Sequence, residues 1–121
     1  MKNLIKNVLL LSTAGLWYGC YYDHPPVIEP PANVSYASDI QPVFDQSCVA
    51  CHNGNLIPDL RSGNSYDALI NNGLVVPLDK SASELYKRVT GAGSLMPPGS
   101  PLPQSKVDLI GQWIEDGAKN N

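Results

Sequence analysis

Five consecutive residues, Cys48-Val49-Ala50-Cys51-His52, constrain this chain more than any other feature. Their spacing sets two thiols on one face of a single helical turn, with an imidazole directly behind the second. Side chains so arranged can add to the two vinyl groups of a haem while the histidine binds its iron, and C-x-x-C-H is the spacing that such attachment needs. A C-x-x-C pair also serves as a structural disulfide, as half of a zinc site or as a thioredoxin-like redox couple. A zinc site needs four protein ligands, and outside the motif the chain offers His24, Cys20 and carboxylates, with no second C-x-x-C and no H-x-x-x-H. A thioredoxin-like domain needs alternating strands and helices, and no strand pattern is visible. The motif therefore points to one covalently held haem c.

Size agrees with a large apolar cofactor. A chain of 121 residues holds one domain at most, and its N-terminal third reads as leader and spacer. The folding unit is expected at 35–121, small enough to gain greatly from a covalent staple. Residues 1–19 read as a secretory signal: Lys2 and Lys6, an apolar run from Val8 to Leu16 too short to span a bilayer, then Gly19 before Cys20. The placement of Cys20 resembles a bacterial lipoprotein signal, which implies a lipid-modified cysteine and a membrane tether, although Trp17 and Tyr18 depart from that pattern. Cysteine arithmetic agrees, because pairing Cys48 and Cys51 on one cofactor leaves Cys20 as the odd thiol of 3. Residues 20–34, with Pro25, Pro26, Pro30 and Pro31, read as an extended spacer. The expectation is an exported, periplasm-facing, membrane-anchored protein. Net charge is -3, and nothing in that balance suits nucleic acid.

A haem iron that passes electrons wants two strong axial ligands. Met96 is the only methionine besides Met1, and it lies in Gly93-Ser94-Leu95-Met96-Pro97-Pro98-Gly99, a proline-rich loop that is a poor place for core. His24 is the rival, but it sits in the spacer, where reaching the iron would cost ordering entropy. The expected metal ligands are His52 and Met96.

The remaining pattern is helical. A first helix is expected from Ser38 or Asp39, with Pro42 in its first turn and Ile40, Val43 and Phe44 as its apolar stripe, running into the motif. Ser65 is expected to cap a helix carrying Tyr66, Leu69 and Ile70. Ser81 and Glu84 should form a capping box ahead of Leu85, Tyr86 and Val89. The last helix, Gln104 to Asp116, places Val107, Ile110, Trp113 and Ile114 on one side and stops at Gly117, while Gly111 could admit close helix packing.

Taken together, Asp39-Ile40-Gln41-Pro42-Val43-Phe44, the motif Cys48 to His52, Met96-Pro97-Pro98 and Trp113-Ile114-Glu115-Asp116-Gly117-Ala118 make the chain from Tyr36 to Ala118 resemble the class I monohaem cytochrome c domain family. The resemblance implies an all-α cytochrome c-like fold of about four short helices and loops wrapped around one haem, with first and last helices crossing beside it. It implies His52 as proximal ligand, Met96 as distal ligand, and a proline carbonyl soon after the motif accepting from the other histidine nitrogen; Pro58 is the candidate, with Ile57 or a neighbour as alternatives. Arg61, Tyr66, Arg88 and Trp113 are the residues to inspect as propionate partners, although solvated faces for the arginines and core packing for Trp113 are the simpler readings. A cytochrome c-prime bundle, with its motif near the C-terminus, fits the order of elements less well. The implied function is a monomeric single-electron carrier, not an enzyme, linked to a respiratory chain through redox partner proteins. The alternatives are a haem enzyme or gas sensor with a labile distal ligand, and a docked cytochrome subunit of a larger oxidoreductase complex.

Overall fold

The computed structural model describes residues 30–121, so the expected leader 1–19, Cys20 and His24 lie outside the described residues. Those described form an all-α unit of a π-helical turn and four α-helices, without a strand among them beyond one antiparallel bridge between Val76 and Asp79. Among them no helix is long and apolar enough to cross a membrane.

Winding begins earlier than the apolar stripe suggests, at a π-helical turn Tyr36–Ile40. Ser35 caps it: its hydroxyl accepts from the Ser38 N–H, and the Asp39 carboxylate accepts from the Ser35 N–H at 2.8 Å. The turn closes through the Gln41 N–H donating to Tyr36 O. Its extra residue leaves both Ile40 and Gln41 facing inward, at 0% and 6% exposure. Helix α1, Gln41–Ser47, follows, with Pro42 in its first turn, where the missing N–H has no partner to lose. It ends at Ser47 and leads directly into the cysteine motif, with Cys48 as its C-cap.

Helices α2 (Ser65–Ile70), α3 (Glu84–Thr90) and α4 (Gln104–Glu115) complete the fold. Two expected caps are not formed. Asn64 holds the N-cap position of α2 without a side-chain bond, and Ser65 is buried just inside the helix. Ahead of α3 the capping box fails because the Asp79 carboxylate takes the Ser81 hydroxyl at 2.6 Å and the Ala82 N–H at 2.9 Å. Ser83 becomes the N-cap, and its hydroxyl turns away to join Val76 and Asp79. The last helix ends as its sequence indicates, with Asp116 as C-cap and Gly117 at φ +99°, a conformation that glycine reaches without a Cβ penalty.

The core gathers Ile40 and Phe44 from the first helical segment with Ile110, Trp113 and Ile114 from α4, all fully buried. Burial of each such side chain contributes about 1.5–3 kcal/mol. Tyr36 stands 5.2 Å from the ring centroids of both Tyr66 and Trp113, which locks the π turn onto α2 and α4. First and last helical segments thus meet at this turn. Val34, the last residue of the expected spacer, is buried in the same core. The chain beyond α4 folds back on the turn, where Asn121 O accepts from the Ala37 N–H and the Ser35 hydroxyl. Helix α3 packs on α4 across Gly111, where a Cβ would stand 2.9 Å from Tyr86 Cε2, so the expected close approach is present.

Candidate functional site

The cysteine motif occupies the turn that leaves α1. The Cys48 and Val49 N–H groups donate to Phe44 O, and those of Cys51 and His52 donate back to Cys48 O at 3.1 and 2.9 Å. The motif is therefore wound into one tight backbone turn that carries Cys48, Cys51 and His52. Cys48 and Cys51 are both free thiols. Cys48 packs against the hydrophobic core, and burial pushes its thiol up to about 11, whereas Cys51 is exposed. Among the described residues no three His, Cys, Asp or Glu side chains converge on a site for a metal ion.

The loop after the motif returns to the histidine. His52 Nδ1 lies 3.1 Å from Pro58 O. A carbonyl can only accept, so this bond requires the proton on Nδ1, and Nε2 is the nitrogen that carries the lone pair when the ring is neutral. Of the carbonyls suggested by the sequence, Pro58 is the partner. The Leu60 N–H donates to His52 O at 2.9 Å, closing the loop at its far end. On its outer side Asp59 accepts from Arg61 Nε and Nη2 at 2.9 and 2.7 Å and from Asn64 at 2.9 Å. The bidentate guanidinium is the main reason the Asp59 carboxyl is held well below the usual carboxylate range. Leu56 and Ile57, at 51% and 85% exposure, give this loop an apolar outer surface.

Met96 lies in the separate loop between α3 and α4. Its N–H donates to Arg88 O at 2.9 Å, so the last turn of α3 anchors it. Its side chain is half-buried, outside the central core. The four side chains inspected as propionate partners all have internal ones: Arg61 pairs with Asp59, Arg88 with Glu84 at 2.6 Å, and the Tyr66 hydroxyl and Trp113 Nε1 donate to Ala118 O and Lys119 O.

A buried polar group that sequence reasoning did not single out adjoins the loop. Gln41 Nε2 donates to Leu60 O at 3.1 Å and to Asp45 Oδ1 at 2.8 Å, Gln41 Oε1 accepts from the Ser65 hydroxyl, and Ser65 in turn accepts from the Tyr36 hydroxyl at 2.6 Å. The available signal was a glutamine set beside Ile40 at the head of an apolar stripe, a place where a polar side chain needs buried partners.

No protein-family model matches the chain, and no curated protein or solved structure shows significant similarity to it.

Proposed function

We propose that this protein is a single-electron carrier of the class I monohaem cytochrome c kind, holding one covalent haem c through Cys48 and Cys51, with His52 and Met96 as axial ligands. The observation that carries this reading is the His52–Pro58 hydrogen bond beside two free thiols on one turn. A histidine that binds iron needs its other nitrogen committed to an acceptor, and His52 has that acceptor with Nε2 left over. The donor set fits: two thiols for the vinyl groups, a neutral imidazole and a thioether. The apolar exterior formed by Leu56 and Ile57 suits a neighbouring macrocycle.

When bound, the haem supplies reversible one-electron chemistry at its iron. The chain's own contribution is to hold and tune. Pro58 O keeps the proton on Nδ1 and makes the imidazole more basic. The thioether of Met96, paired with that imidazole, favours the reduced state and raises the potential. The activity is proposed to be electron transfer alone, between protein partners. Export follows from Lys2, Lys6 and the run Val8 to Leu16, and Cys20 is proposed as the lipidated tether of a periplasm-facing domain.

The test is a visible absorption spectrum of the oxidised and reduced protein, with Met96→Ala beside it. Covalent haem with low-spin bands in the wild type, converted to a high-spin, carbon monoxide-binding form in Met96→Ala, is the expected result. Carbon monoxide binding to the native reduced protein would favour a haem enzyme or gas sensor with a labile distal position. Absence of covalent haem after expression with a maturation system would overturn the proposal.

A further inference from the structure

We infer that Gln41 is a positioning residue for His52: its buried amide fixes the Leu60 backbone and thereby the loop that presents Pro58 O to the imidazole. The inference rests on the reading of His52 as a ligand and extends it to Tyr36, Gln41, Leu60 and Ser65, outside the motif. The bonds form one continuous path. The Tyr36 hydroxyl donates to Ser65 Oγ, Ser65 donates to Gln41 Oε1, Gln41 Nε2 donates to Leu60 O, the Leu60 N–H donates to His52 O, and His52 Nδ1 donates to Pro58 O. Tyr36, Gln41, Leu60 and Ser65 are all 6% exposed or less, so water does not substitute freely along this path.

Hydrogen-bond direction fixes the amide. Ser65 has one proton and accepts from Tyr36, so its own proton goes to Gln41 Oε1. That places the Gln41 oxygen toward Ser65 and both amide hydrogens toward Asp45 and Leu60. Only glutamine meets these demands at this length: a glutamate carboxylate offers no donor and would face Asp45 and a carbonyl, and methionine would leave Leu60 O without this donor. Leu60 is held at both backbone atoms, its C=O by Gln41 and its N–H by His52. Releasing the first tie lets the loop move, and the Nδ1 to Pro58 O distance is the geometry that lengthens. Burial pushes the Tyr36 hydroxyl up to about 12 despite its bond to Ser65, so it remains a donor throughout the neutral range.

The experiment is nitrogen-15 NMR of the His52 imidazole in the full protein, wild type, Gln41→Met and Val107→Ala, with the reduction potential of each. Val107 is a core residue of α4 outside the path, and its variant serves as a match for loss of stability. In Gln41→Met the Nδ1–H resonance should move upfield and its solvent exchange rise about tenfold. The potential should become more positive, because a weaker bond to Pro58 O leaves the imidazole less basic. Val107→Ala should lower thermal stability without moving either. An unchanged Nδ1–H signal and potential in a folded Gln41→Met would overturn the inference and reduce Gln41 to packing. Should that variant fail to fold, Ser65→Ala removes the donor that orients the amide and should shift both readouts the same way by less, and no shift there also overturns it. A wild type without covalent haem would sink the proposed function alone, since imidazole tautomer and exchange are read without it.

Discussion

The loop that follows the cysteine motif and the loop that carries Met96 hold the two ligands of the proposed site, yet they are built differently. The first is tied back to His52 at both Pro58 O and the Leu60 N–H, and its Leu60 O is held by Gln41. The second leaves α3 at Gly91, in the left-handed region at φ +76°, is anchored at Met96 by Arg88 O, and turns at Ser100 onto Pro97 O. Leu60 at the end of the first is fully in the core, whereas Met96 is half-buried and its neighbours are mostly exposed. A histidine that must hold one tautomer needs a surrounding that over-determines it, while a thioether has no tautomer to fix. Local opening should therefore begin on the Met96 side.

The comparison is broken most severely at Phe44. Its carbonyl receives the Cys48 and Val49 N–H groups and its ring, fully buried, lies 6.3 Å from that of Tyr36. Phe44→Ala should cost about 3–5 kcal/mol, read from urea midpoints, with amide exchange at Cys48 and Val49 accelerating along with the whole core. A smaller effect is expected at Gly111, and it should fall on the other side. The new Cβ of Gly111→Ala meets the Tyr86 ring, which carries Lys80 Nζ 5.6 Å from its centroid and lies on the helix that anchors Met96. Overpacking opposes the better helix propensity of alanine, for a net loss of about 1 kcal/mol. Hydrogen exchange should quicken at Met96 and stay unchanged at Leu60. Equal acceleration at both amides would show that the two loops open as one unit.

What could be read from the sequence divides along the same line. The motif is made of contiguous residues, so its spacing stands in the sequence, and Pro58 was suggested by what the family resemblance implies about a proline soon after it. The apolar faces of α1 and α4 follow from helical periodicity, and the stop at Gly117 from the need for a left-handed residue. Gln41 was not legible in this way. Its partners Leu60 and Ser65 are brought to it only when α2 and the motif loop pack against the π turn. The caps failed for a related reason: the Ser65 hydroxyl is engaged with Gln41 and Tyr36 and the Ser81 hydroxyl with Asp79, so neither oxygen accepts from the N–H groups at its helix start. Small hydroxyl residues near a helix start carry local and tertiary options, and local spacing does not choose between them.

The smallest effect belongs to the surface of the motif loop. Asp59 is ionised in its pairing with Arg61, and its carboxyl is held below the ordinary value of 3.8. A depressed carboxylate stabilises the fold above its unfolded pKa and loses that contribution as pH falls through the folded value. The pair is solvent-exposed, so screening keeps its contribution small. The thermal midpoint of the wild type should fall below about pH 4 slightly more steeply than that of Asp59→Asn, which has no proton to take up. Asp79, also depressed, by the Ser81 hydroxyl and the Ala82 N–H, offers the matching test before α3. Asp79→Asn keeps an oxygen to accept from Ala82 and should change the acid slope less. If Asp59→Asn leaves the slope as it is in the wild type, the loop around His52 is held from its inner side alone, by Gln41 and the backbone, and the ion pair outside it is ornamental.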